Sequence, residues 1–176
     1  MGRQVVIFCA SSQDIDPKYN EAARTLVREL HARGYDVVSG GGARGTMGAI
    51  TSESVRVGGR HKAVLPRFMQ GLENPDVNEH VWTDTMARRK EEMRKDTVAA
   101  IALPGGIGTL EELVETHTLR KLHRYQGAIY ALNLDGFYNP LKALYAHYAA
   151  TGMTAPSDLS LVEFPDTLEE LLAHFA

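Results

Sequence analysis

The chain has 176 residues, 44% of them hydrophobic, and a formal charge of -3 at neutral pH. That length supports one sizeable core and is too short for two, so residues 1–176 are expected to form a single domain. The acidic balance excludes the general basic field that nucleic acid requires, though not a local basic pocket for a small anion, and no apolar run approaches the roughly 20 residues that cross a bilayer.

The first apolar run, "QVVIFCA" from Gln4 to Ala10, is rich in β-branched residues and reads as a strand ending at the polar turn "SSQD". It holds the only cysteine, Cys9, which reads as a core thiol in a reducing compartment. The run is too short for a signal peptide, so a soluble, cytoplasmic protein is expected. Pro17 then opens a helix with apolar residues at Ala22, Ala23, Leu26, Val27 and Leu30, and Gly34 ends it. "YDVVSGGG" is a second strand running into glycines, "TMGAITSESVRVGG" a helix, and "HKAVLP" a strand stopped by Pro66. The loop "RFMQGLENPDVNE" leads to a further strand in "HVWTD" and a charged helix in "TMARRKEEMRK". A strand "TVAAIALP", a helix "TLEELVETHTLRKLHR" and a strand "GAIYALN" follow, and the chain closes with helices in "YNPLKALYAHYAAT" and "TLEELLAHFA".

Strands alternating with helices predict an α/β fold, a doubly wound parallel sheet with helices on both faces. Ligands of such sheets collect beyond the carboxyl ends of the strands, where the strand order reverses. Two glycine-rich turns leave strands at that rim and are expected to face one another. In "GGGARGTMG", Gly40 to Gly48, a dinucleotide fingerprint can be read, but no acidic residue ends a strand about 20 residues on, which disfavours an NAD-dependent oxidoreductase. The turn is either a nest for a phosphate, using Gly41, Gly42 and Gly45, or a tight packing turn.

The second turn, "LPGGIGTLEE", carries the stronger signal. Gly105 and Gly106 let backbone approach a ligand, Gly108 permits the entry into the helix, and Thr109 offers a hydroxyl or a cap. It is not a P-loop, because no lysine follows the glycines. Thr109 and Glu112 also fit a capping box, which would make that glutamate structural. Between the turns, Arg88, Arg94 and Lys95 in "MARRKEEMRK" read as a solvated helix face. His117 and His123 are six apart, on different helix faces, and read as surface or dimer residues; no metal site is expected. Leu113, Val114 and Leu122 are expected in the core or an interface, and Trp82 near a pocket rim.

The ordered set "GGGARGTMGAI", "MARRKEEM" and "LPGGIGTLEEL", with "ALNLDGFYNPL" downstream, resembles the LOG (Lonely Guy) family of cytokinin riboside 5'-monophosphate phosphoribohydrolases. The resemblance covers most of the chain. It implies a Rossmann-like nucleotide-binding fold that hydrolyses the N-glycosidic bond of a purine nucleoside 5'-monophosphate, without a metal or cofactor. It implies a catalytic Arg89 with Lys90 beside it, and carboxylates at Glu111 or Glu112 and at Glu73 meeting the sugar. The 5'-phosphate would lie on Gly105, Gly106, Gly108 and Thr109, with Met86, Ile107, Leu110 and Thr118 completing the substrate site. AMP or an N6-substituted AMP is the implied small-molecule partner, and a homodimer or higher even-numbered assembly the implied state. Ala87 stands where the family often has histidine, Ile107 where it has tyrosine, and "LRKLHRYQG" replaces its W-x-Q-L-G stretch; these departures fall near the implied base pocket. The competing reading is a non-catalytic nucleotide or molybdenum-cofactor carrier on the same fold. A carrier needs the phosphate turn but not Arg89 and Glu112 together.

Overall fold

A computed structural model describes residues 2–176. Six strands form one parallel sheet in the order β4-β3-β2-β1-β5-β6: β1 (Arg3–Phe8), β2 (Tyr35–Ser39), β3 (His61–Pro66), β4 (Glu79–Thr83), β5 (Thr97–Ala102) and β6 (Ala128–Ala131). The central strands are apolar on both sides, since Val5, Val6, Ile7, Val37, Val38 and Ala100 are fully buried. Such strands must be covered on both faces. On one face α1 (Pro17–Ala32), α2 (Gly45–Arg56) and α7 (Leu168–Leu172) pack on Val5, Ile7 and Cys9. On the other, α3 (Met86–Arg94), α4 (Ile107–Lys121) and α5 (Asn139–Ala150) place Met93, Leu113 and Tyr145 on Val6 and Phe8.

The expected strands and longer helices are all present, with boundaries moved by a few residues. Pro17 occupies the first turn of α1, where its missing N–H costs nothing, and Asp16 caps that helix by accepting from the Lys18 N–H. Gly34 and Gly152 follow α1 and α5 with φ of 78° and 72°, which a residue with a Cβ adopts only under strain. A short helix, α6 (Pro156–Leu159), spans a single turn, too little for the sequence to show a period. No helix among the described residues is long and apolar enough to cross a membrane.

Candidate active site

The chain winds from β1 to β4 on one side and returns to place β5 against the other side of β1. The order therefore reverses between β1 and β5, and the crevice beyond their carboxyl ends is the natural ligand position. A cavity of about 290 Å³ opens there, between Ser11 and Ser12 after β1, Gly105 and Gly106 after β5, and the rings of Tyr19 and Phe137.

The two glycine-rich turns meet this crevice differently. At the first, the Thr46 and Met47 N–H groups of the α2 N-terminus both donate to the Ala10 carbonyl, at 3.0 and 3.4 Å. The Gly41 N–H donates to Ser39 Oγ at 3.1 Å, its carbonyl accepts from the Asn74 N–H at 2.9 Å, and Gly42 bridges to Glu73. A methyl group on Gly41 would overlap Ala63, and one on Gly45 the backbone of Ser11 and Ser12. The Gly41, Ala43, Thr46 and Met47 N–H groups of this turn are thus engaged within the protein, and Gly41 and Gly45 are held to glycine by close packing.

The second turn is open. Gly106 is the N-cap of α4 and supplies no side-chain cap, so the first amides of a 15-residue helix face the crevice without a protein partner for their charge. Beneath them the Thr109 hydroxyl is buried and has no hydrogen-bond partner. Buried polar groups are almost always satisfied, so an orphan hydroxyl under a helix N-terminus marks a place for a polar ligand atom. Two expectations are corrected here. Because Gly106 takes the extended conformation, the helix begins at Ile107; Thr109 therefore lies inside it and does not cap it, and no capping box with Glu112 forms.

Glu112 instead turns into the protein. It is 8% exposed, and its Oε1 accepts from Nη1 of Arg89 at 3.3 Å. Arg89, on the inner side of α3, also donates through Nε to the Val64 carbonyl at 3.0 Å, and its Nη2 lies against Gly40. Burial pushes the Glu112 carboxyl up to about 7, against the opposing pull of the Arg89 guanidinium. Cys9 lies within the field of the same pair, and burial pushes its thiol up, so it stays a neutral core group as expected.

Further along the seam, Lys90 pairs with Glu111 and, at 3.1 Å, with Glu115. Arg94 also pairs with Glu115 and is 9% exposed, so its assignment to a solvated face is wrong: α4 covers it. Arg88 and Lys95 do lie outside, paired with Glu91 and Glu92. Glu111 is thus held by Lys90, on the rim of the site. Glu73 sits in the loop after β3, its carboxylate accepting from the Gly71 N–H at 2.5 Å, and no hydrogen bond joins it to Arg89 or Glu112. Met86, Ile107 and Leu110 are exposed apolar residues at the starts of α3 and α4, and Thr118 is exposed a few turns away, its hydroxyl donating to the Val114 carbonyl. His117 is neither surface nor metal ligand: its ring nitrogens bond Tyr145 Oη at 2.8 Å and the Asp158 carbonyl at 2.7 Å, tying α4 to α5 and α6. His123 is exposed, and no cluster of metal-ligating residues occurs among the described residues.

One supporting residue escaped the sequence reading. Tyr138 donates through its hydroxyl to the Leu103 carbonyl at 2.7 Å, bracing the strand end just before the open turn. Its signal was the "ALNLDGFYNPL" stretch, which carried resemblance but no role.

Residues 47–175 match a protein family described as "Possible lysine decarboxylase". The chain is 38% identical over 176 residues to a cytokinin riboside 5'-monophosphate phosphoribohydrolase of Arabidopsis thaliana, covering 97% of this chain and 80% of that one. It is 36% identical to the cytokinin riboside 5'-monophosphate phosphoribohydrolase LOG of Oryza sativa subsp. japonica, covering 97% and 71%. Among solved structures, the molybdenum cofactor carrier protein of Chlamydomonas reinhardtii superposes with a TM-score of 0.75 over 99% of this chain and 96% of that one, at 15% identity, a likeness of fold alone.

Proposed function

The chain belongs to the LOG family, and from that membership we propose that it hydrolyses the N-glycosidic bond of a purine nucleoside 5'-monophosphate, releasing free base and ribose 5-phosphate. The observation that carries this reading is the buried Arg89–Glu112 pair, set beside an uncapped helix N-terminus with an orphan hydroxyl. The first supplies opposite charges for a bond that breaks into a cationic sugar and an anionic base. The second supplies donors for the phosphate that identifies the substrate.

The 5'-phosphate accepts from the amides of Gly105 to Thr109 and from the Thr109 hydroxyl. Loss of the base leaves positive charge on the sugar, which the Glu112 carboxylate, one turn further down α4, offsets. The bond between sugar carbon and base nitrogen breaks with its electron pair on the nitrogen. A water oxygen bonds the carbon, Glu112 takes the water's proton, and the departing base recovers a proton. Arg89 stabilises the negative charge developing on the base. The lysine decarboxylase description gains nothing from the geometry, because Lys90 is engaged by two carboxylates.

The exposed Ile107, Leu110 and Val114 recur along one face of α4 and fit a second copy of the chain, giving a homodimer whose partner walls the base pocket. Residues 1–176 serve as one nucleotide-binding domain. The test is to incubate the purified protein with AMP and with isopentenyladenosine monophosphate and to look for free base by chromatography. Release of base from either supports the reading. Tight binding of the nucleotides with no release from either would instead make the chain a carrier.

A further inference from the structure

Three glycines, Gly40 to Gly42, follow β2, and the first of them lies against a side chain of the candidate site. The Arg89 guanidinium lies against Gly40, and a methyl group built there would overlap Nη2. The next nearest atom is Met47 Sδ, at 3.2 Å. Gly40 does not lie in the left-handed region, so its conformation is open to any residue; space, not backbone freedom, is what requires glycine here. The guanidinium is fixed on its other sides by the Val64 carbonyl and by Glu112.

We propose that Gly40 is a positioning residue that seats the Arg89 guanidinium against Glu112. It closes the third side of a slot whose other walls are β3 and α4, so the reach of Arg89 is set by a bare stretch of backbone. Any side chain at position 40 pushes the fork out of that slot and withdraws the counter-charge from the buried carboxylate. The overlapping group is the far end of a flexible side chain, so the fold survives the change while the pair does not. This inference rests on the proposed roles of Arg89 and Glu112 for its kinetic consequence, but its geometric content is independent of the reaction.

The experiment compares Gly40→Ala, Arg89→Ala and the double variant, first by carboxyl NMR of Glu112 across pH and then by the rate of base release from AMP. Besides Arg89, the groups that face this carboxyl are Lys90 and Arg94 on α3, Glu111 on its own helix and Cys9 just after β1, and none of them is altered. Gly40→Ala should raise the titration midpoint of Glu112 as Arg89→Ala does, with no further rise in the double variant, because all three remove the same counter-charge. Base release should fall about a hundredfold in Gly40→Ala, as expected for a misplaced catalytic group, and the two changes should not multiply. A Glu112 midpoint unchanged in Gly40→Ala overturns the proposal, as do rate losses that multiply in the double variant. If no variant and not even the wild-type chain releases base, the proposed reaction fails, yet the NMR arm still decides whether Gly40 seats the arginine.

Discussion

Glu112 is a carboxylic acid placed where its charge is penalised, and the Arg89 guanidinium is the largest compensation, with Lys90 and Arg94 adding to it. A buried pair of this kind contributes little net stability, and breaking one by removing a partner commonly costs about 3–5 kcal/mol. Its retention is better explained by chemistry. With the carboxyl pushed up to about 7 and acting in its ionised form, base release should rise with pH through about 7 and level off above it. A pH–rate profile checks this, and a profile that falls across that range would give Glu112 the role of acid instead. Thr109→Val offers a contrasting signature. It removes an unpartnered buried hydroxyl, so melting should stay level or rise, while KM for AMP rises about tenfold through the lost phosphate contact. Equal kcat/KM for AMP and adenosine in the wild-type chain would remove the phosphate from this turn altogether. At this scale the sequence shows Arg89 and Glu112 through their motifs. It does not show that Glu112 is free of capping duty, because that depends on where Gly106 starts the helix. It hides Arg94 as well, since a run of charges says nothing about which neighbouring helix covers it.

The elements divide the labour between the two turns. Before α2 the chain packs closely at Gly41 and Gly45, and beneath that turn Ser39 Oγ sits 2.7 Å from Nε2 of the fully buried His61. Burial lowers the pKa of that imidazole to about 4, with the charges of His31 and His80 adding to the effect. Its folded pKa is below the ordinary 6.5, so its contribution is fully present above 6.5 and is lost as pH falls toward 4. Glu112 runs the other way: its folded pKa lies above 4.5, so its contribution is present below 4.5 and is lost as pH rises through about 7. Thermal melts of Glu112→Gln between pH 7.5 and 4.5 should therefore show a steeper acid loss than the wild-type chain. Parallel curves would mean that the two groups do not oppose one another. The strands and long helices were legible because their apolar periods are complete. Which amides of the two glycine turns are engaged was not, because glycine spacing is the same whether an amide is open or meets the Ala10 carbonyl.

Across the whole molecule, the sheet order puts both turns at one rim, and α3 and α4 lie side by side with their charged seam between them. The exposed apolar face of α4, with Ile107 82% exposed, is what a second copy would cover. Light scattering at micromolar concentration should report a dimer or a higher even-numbered assembly, and Val114→Asp should shift it toward monomer; a monomeric wild-type chain would contradict the assembly proposed. The alternation of strand and helix made the architecture readable from the sequence. The proposed partner surface is visible in the sequence only as apolar positions on one helix, because periodicity does not distinguish a face that meets the core from one left exposed. The measurement that tests the central claim most directly is the rate of adenine release from AMP by the wild-type chain and by Glu112→Gln, with Arg88→Ala as control. The account predicts adenine and ribose 5-phosphate in equal amounts from the wild-type chain, little change in Arg88→Ala, and a loss of about a hundredfold or more in a folded Glu112→Gln. Adenine release by Glu112→Gln at the wild-type rate would contradict it.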